Sequence, residues 1–135
     1  MTMNLRRPTK RSALMPTEAE LEILNTLWTI GPSTVREVHD ALSSKRTGYT
    51  TVLKQMQVMT EKGLLLRNER YRSHVYEARF PKEQTQQQLA NNLLHRAFNG
   101  SAKNLVLGAL SSQRVSSSEL AEIRRMLDEF EKGSA

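Results

Sequence analysis

Residues 49–80 read YTTVLKQMQVMTEKGLLLRNERYRSHVYEARF, and the architecture turns on them. In the first half Val52, Met56 and Met59 recur at i, i+4 and i+7 with Leu53 beside them, the spacing of a single buried helical stripe. Gly63 follows where a helix would end in left-handed backbone. Two runs, Leu64 to Arg70 and His74 to Phe80, then flank the polar tip Tyr71-Arg72-Ser73. The second run alternates. Val75, Glu77 and Arg79 fall on one face and Tyr76, Ala78 and Phe80 on the other, the period-two pattern of a half-buried strand. The stretch predicts a helix over 49–62 and an antiparallel hairpin behind it, closed by Pro81.

Two more helices precede it. Thr17 and Glu20 have the form of a capping box, in which the hydroxyl accepts from the backbone of the glutamate and the carboxylate reaches back. Leu21, Leu24, Leu27 and Trp28 follow at helical spacing until Gly31-Pro32 stops the run. A second box, Thr34 with Glu37, opens a short helix carrying Val35, Val38, Ala41 and Leu42, with its end marked by Ser43-Ser44. A basic stretch, Lys45-Arg46-Thr47-Gly48, leads into the third helix. Helix, helix, helix and hairpin in this order are the layout of a winged helix-turn-helix.

Beyond Pro81 the pattern is helical only. Leu89, Leu93, Leu94, Ala97 and Phe98 form a stripe that Asn99-Gly100 breaks, and a short helix over 102–110 carries Leu105, Val106, Leu107 and Leu110. Ser116 and Glu119 have the form of a third capping box ahead of Leu120, Ile123, Met126, Leu127 and Phe130. Three helices this short bury too little surface among themselves, so part of the stripe formed by Leu89, Leu93, Leu94, Phe98, Leu105 and Leu127 is expected to pack against a second copy. The expected fold is mainly α with one small antiparallel β hairpin: a basic arm at 1–15, a winged-helix DNA-binding domain at 16–81 and a three-helix dimerisation domain at 82–135.

Composition narrows the function. The chain of 135 residues has 20 Lys+Arg against 14 Asp+Glu, a net charge of +6, and no Cys, which excludes disulfides, thiolate-held metals and cysteine nucleophiles. No run approaches the ~18 apolar residues of a membrane helix, and the first fifteen residues lack the apolar core of a signal peptide, so a cytoplasmic protein without membrane insertion is expected. The charge is unevenly spread. Residues 16–44 carry Arg36 against Glu18, Glu20, Glu22, Glu37 and Asp40, whereas 45–79 carry Lys45, Arg46, Lys54, Lys62, Arg67, Arg70, Arg72 and Arg79 against Glu61, Glu69 and Glu77. Positive charge thus collects on the segment with the third helix and the hairpin, as binding to a polyanion requires.

The third helix locks its apolar face to its neighbours and presents Thr50, Thr51, Lys54, Gln57, Val58 and Glu61 outward. Hydroxyls in the first turn, from Thr50 and Thr51, suit phosphate oxygens. The Gln57 amide suits adenine and Val58 suits a thymine methyl. Lys45, Arg46, Arg70 and Arg72, before the helix and around the hairpin tip, would neutralise backbone phosphates.

The stretches Glu18 to Trp28, Thr34 to Leu42, Tyr49-Thr50-Thr51-Val52 and Glu61-Lys62-Gly63-Leu64 closely resemble the penicillinase-repressor family of bacterial transcription regulators, from about Pro16 to Phe130. The most specific signals are Leu27-Trp28, Val35-Arg36-Glu37-Val38 and the tetrad from Tyr49. The resemblance implies a homodimeric repressor that sets its winged helices, Tyr49 included, on a palindromic operator. It also implies relief of repression through a membrane sensor-protease that cuts the C-terminal domain. In β-lactam-responsive members the scissile bond joins Asn to Phe; the matching pair here, Gly108-Ala109, marks the expected cleavage region. Copper-responsive members use C-terminal cysteines, which this chain lacks. Val58 stands where many members carry a basic residue, implying a different operator preference.

An enzyme would need converging groups. His39, His74 and His95 share no metal-ligand spacing, no glycine-rich phosphate loop or nucleophile elbow occurs, and neither metal nor cofactor is expected. Two non-enzymatic alternatives share the layout: a winged-helix adaptor whose basic hairpin meets an acidic protein, and a regulator that binds a small ligand between its domains. Steep salt dependence and preference for a palindromic site separate DNA binding from the first, and the low aromatic content, 5%, offers the second no pocket.

Overall fold

A computed structural model describes residues 15–42, 47–70 and 72–134. Apart from Met15, the basic arm lies outside them, as do Lys45, Arg46 and Tyr71. Among the described residues the elements are α1 (Glu18–Ile30), α2 (Val35–Ala41), α3 (Tyr49–Lys62), β1 (Leu65–Asn68), β2 (Val75–Ala78), α4 (Lys82–Ala97), α5 (Ala102–Ser111) and α6 (Ser117–Ser134). The fold is mostly helical with one antiparallel hairpin, a winged helix followed by C-terminal helices. The chain divides into two compact units, with the boundary inside α4 between Asn91 and Asn92.

Both N-terminal capping boxes form. The Thr17 hydroxyl accepts from Glu20 N at 3.2 Å while Thr17 N donates to Glu20 Oε1 at 2.9 Å, and Thr34 and Glu37 repeat the exchange at the same two distances. Gly31 stops α1 with φ 87° and ψ −173°, a backbone region essentially reserved for glycine. At the end of α3, Gly63 adopts φ 90°, ψ 13°; its N–H donates to Thr60 O and Leu64 N donates to Met59 O at 2.9 Å, the paired bonds of a Schellman motif. That turn reverses the chain and aims Leu64 and Leu65 back into the core.

A single cluster of buried side chains joins all parts of the first unit. Ile23, Leu24 and Leu27 come from α1, Val35, Val38 and Leu42 from α2 and its end, Val52, Met56 and Met59 from α3, and Leu64, Leu65 and Tyr76 from the wing. The three α3 residues are fully buried and are the i, i+4, i+7 stripe. Tyr76, 2% exposed, is the wing's main anchor, and its burial turns the face of β2 that carries Tyr76 and Ala78 inward. Half-buried Trp28 packs on the cluster and donates its indole N–H to Phe80 O at 3.0 Å.

The wing differs from the sequence expectation in two respects. Its strands pair over four residues each, Leu65 opposite Ala78 through Asn68 opposite Val75, and are shorter than the apolar runs. Asn68 Oδ1 accepts from Arg70 N at 2.8 Å, so the side chain turns the backbone locally and ends β1. The hairpin also gains a third partner: Ser33 and Tyr76 exchange both backbone bonds, at 2.9 and 2.8 Å, tying the α1–α2 connection to β2.

In the second unit, Asn99 (φ 50°) and Gly100 (φ 81°) end the α4 segment in left-handed backbone, and Ser101 caps α5 by accepting from Asn104 N at 3.1 Å. Ser116 accepts from Glu119 N at 3.0 Å; the reciprocal bond of the expected third box does not form, so α6 carries a single cap bond instead. No described side chain in this unit is buried. Val106, Leu107, Met126 and Leu127 are 46%, 58%, 57% and 56% exposed.

Candidate nucleic-acid interface

With Val52, Met56 and Met59 inward, helical geometry puts Thr50, Lys54, Gln57 and Glu61 along the opposite ridge of α3, and all four are exposed. Thr51 and Val58, also exposed, lie on the flank nearer α1, while Tyr49 and Leu53 lie on the flank nearer α2 and the wing. The outward set read from the sequence is therefore one continuous strip with two shoulders.

Each shoulder borders a cleft. The first, about 370 Å³, is lined by Glu20, Thr50, Thr51, Lys54, Gln55 and Val58. The second, about 360 Å³, runs between α2, α3 and the wing, with Arg36, Tyr49, Gln57, Arg72, Ser73 and His74 among its lining. The wing arginines differ in what holds them. Arg67 is committed to Glu69 at 2.6 Å, and its pKa is raised by the neighbouring Tyr76 hydroxyl and by that carboxylate. Arg70 and Arg72 are exposed and have no carboxylate partner among the described residues. The same holds for Lys54 and Arg36.

Both ends of α3 are fixed by polar contacts that the sequence reading missed. At the N-terminus the Arg36 guanidinium lies 5.0 Å from the Tyr49 ring centroid, a cation–π distance, and His39 meets the same ring edge-on at 6.1 Å. His39 Nε2 lies 3.0 Å from Thr47 O, so the Nε2–H form of the ring donates to the residue two before the helix. At the C-terminus Lys62 Nζ donates to Glu20 Oε2 at 2.7 Å. Burial raises the pKa of Glu20, but bonds from Lys62 and from Thr17 outweigh it and hold the carboxyl below its ordinary value. Each of these residues had a sufficient local explanation in the sequence, as a cap, a helix end or a solvated charge, and nothing there paired them.

The candidate dimer residues divide by exposure. Leu89, Leu94, Phe98 and Leu105 are half-buried, whereas Leu93 and Leu127 are exposed. The Phe98 ring packs on Gly108, where an added Cβ would stand 3.6 Å from the ring. Gly108 and Ala109 lie within α5, with Gly108 O accepting from Ser112 N at 3.1 Å, so the bond between them is helical and not in a loop. No group of three or more metal-ligating side chains occurs among the described residues, and none of their helices is long and apolar enough to cross a membrane.

Comparison with known proteins agrees with this geometry. The family model described as penicillinase repressor matches residues 16–129. The chain is 31% identical over 118 residues to the transcriptional regulator BlaI of Mycobacterium tuberculosis, covering 86% of this chain and 85% of the relative. It is 26% identical over 113 residues to the penicillinase repressor of Bacillus licheniformis, covering 83% and 88%. The match spans both units, and with it the chain belongs to the penicillinase repressor family, whose members are transcriptional regulators and not enzymes.

Proposed function

We propose that this chain is a homodimeric repressor that binds a palindromic operator in double-stranded DNA, with α3 of each protomer in the major groove and the wing on the flanking backbone. The observation that carries the reading is the ridge of Thr50, Lys54 and Gln57, exposed on a helix held at both ends and bordered by arginines with no carboxylate partner among the described residues. Within this reading Lys54, Thr50 and Thr51 meet phosphates or base edges, Gln57 and Val58 read bases, and Arg70 and Arg72 join Lys45 and Arg46 in neutralising phosphates. Such a protein works in the cytoplasm, where its DNA lies.

Dimerisation is supported by the second unit, whose apolar side chains all remain at least partly exposed when the chain is taken alone. Two-fold symmetry of the protein would be mirrored in the operator. Release through a membrane sensor-protease is part of the same reading, with one added requirement. A cut at Gly108–Ala109 needs extended backbone in the protease, so α5 must unwind first.

The test combines sedimentation with selection of duplexes from a random pool. A dimer at micromolar concentration and an enriched dyad are expected, and Lys54→Ala should weaken binding and either lower the salt slope or change base preference. A monomer with full affinity for the selected duplex would overturn the dimer, and unchanged binding by Lys54→Ala would move the recognition face elsewhere.

A further inference from the structure

Arg36 is the only Lys or Arg in residues 16–44, a segment otherwise dominated by acids. In the sequence it has no visible role, yet the fold brings it to the cleft between α2, α3 and the wing, which Arg72 also lines. We propose that Arg36 and Arg72 clamp one DNA phosphate in this cleft, making Arg36 a DNA-binding residue that acts together with the wing. The inference rests on the DNA-binding reading above and adds to it a specific ligand position.

Three features of the cleft support this. Among the described residues it is lined by Arg36, Arg72 and His74 and by no carboxylate. Of the two acids on α2, Glu37 is engaged in capping, its Oε1 accepting from Thr34 N at 2.9 Å and lying 3.3 Å from Thr34 Oγ1, and Asp40 lies 3.8 Å from His39 Nδ1. Second, the Arg36 guanidinium is already placed: its Cζ lies over the ring of Tyr49, the first residue of α3, 5.0 Å from the centroid, and a cation–π contact leaves guanidinium N–H donors available for an anion. Third, the cleft shares Gln57 with the exposed ridge of α3, so a backbone held there would lie alongside the helix whose side chains face the bases. At about 360 Å³ it admits a phosphodiester with its flanking sugar atoms.

A clamp on phosphate positions the protein without reading sequence. This separates it from a base contact by experiment. Binding of the full-length chain is measured by fluorescence anisotropy across a range of salt concentrations on two labelled duplexes of equal length, one enriched by the wild-type protein from a random pool and one of random sequence. Arg36→Ala should weaken both by a similar factor, about three- to tenfold near 0.1 M salt, and lower the log–log salt slope by about one per bound protomer. Because the clamp holds the phosphate only with both arginines in place, either loss frees it, and adding Arg36→Ala to Arg72→Ala should cost little further slope. Arg114→Ala, which removes the same charge from an exposed turn between α5 and α6, should leave the binding curves unchanged. Arg36→Gln checks that chain length at this site is not the cause, and its thermal melt shows that the fold persists.

A wild-type slope for Arg36→Ala and Arg36→Gln, a loss confined to the selected duplex, or full additivity with Arg72→Ala each overturns the clamp. If the wild-type protein binds neither duplex in a salt-dependent way, the DNA-binding reading itself falls. If Lys54→Ala weakens binding while Arg36→Ala does not, only the clamp falls.

Discussion

Removing the partner of Glu20 should loosen the base of α3, and the effect can be sized from the geometry. The Glu20 side chain is 7% exposed and lies 2.7 Å from Lys62 Nζ, whose own side chain is 39% exposed. Lys62→Met would leave a nearly buried carboxylate without its cation. Breaking a fully buried pair costs ~3–5 kcal/mol, but the exposed lysine end is screened by solvent, which brings the expected loss down to ~1–2 kcal/mol. For a unit of this size that corresponds to a fall in Tm of roughly 4–16 °C. Glu20→Gln keeps an acceptor for Thr17 N and should cost about 1 kcal/mol, and the double variant should cost less than the two singles together, with a coupling of about 1 kcal/mol.

Acid supplies the control. Because the folded state holds the Glu20 pKa below its ordinary value, the pair's contribution is fully present at pH above the ordinary, unfolded carboxylate value. It is lost as pH falls through the lower folded value. Urea denaturation followed by circular dichroism at pH 7 and near pH 3 should therefore show a gap between wild type and Lys62→Met that closes on acidification. A Lys62→Met chain as stable as wild type at pH 7, or a gap unchanged in acid, would show that the Glu20 carboxylate does not depend on Lys62.

Other substitutions probe separate links. Gly31→Ala meets no atom within 4 Å, so its cost, about 1–3 kcal/mol by thermal melt, would come from backbone strain at φ 87° alone. Met56→Ala empties the centre of the core, where the side chain is fully buried, and should lose about 2–5 kcal/mol in denaturant titration. Deleting residues 1–14, with Arg6, Arg7, Lys10 and Arg11, should weaken binding to selected and random duplexes alike and lower the salt slope, as anisotropy titrations would show.

Local chemistry made much of this architecture legible. The reciprocal bonds at Thr17 and Thr34 need partners only three residues away, and the period-two run from Val75 to Phe80 states its buried face directly. The contacts that seat the recognition helix are of another kind. Ser33 meets Tyr76 through backbone alone, which no side-chain pattern encodes. Glu20 and Lys62 lie on helices that pack only because the core forms, and Arg36 gains its role from Tyr49 coming to rest beside it. Thr85 reads as one polar residue among glutamines yet is 5% exposed in the first unit. The strands came out shorter than their apolar runs because Asn68 spends its side chain on the turn.

The indole of Trp28 has a practical consequence. It is the chain's only tryptophan, and its N–H rests on the carbonyl of Phe80, the residue at which the wing leaves the core. Emission excited at the red edge of its absorption thus comes from one place, the seam between α1 and the root of the hairpin. Any event that lifts the wing from that seam exposes the ring to water and shifts its spectrum, so the protein carries an intrinsic optical gauge of wing seating that needs neither label nor added ligand.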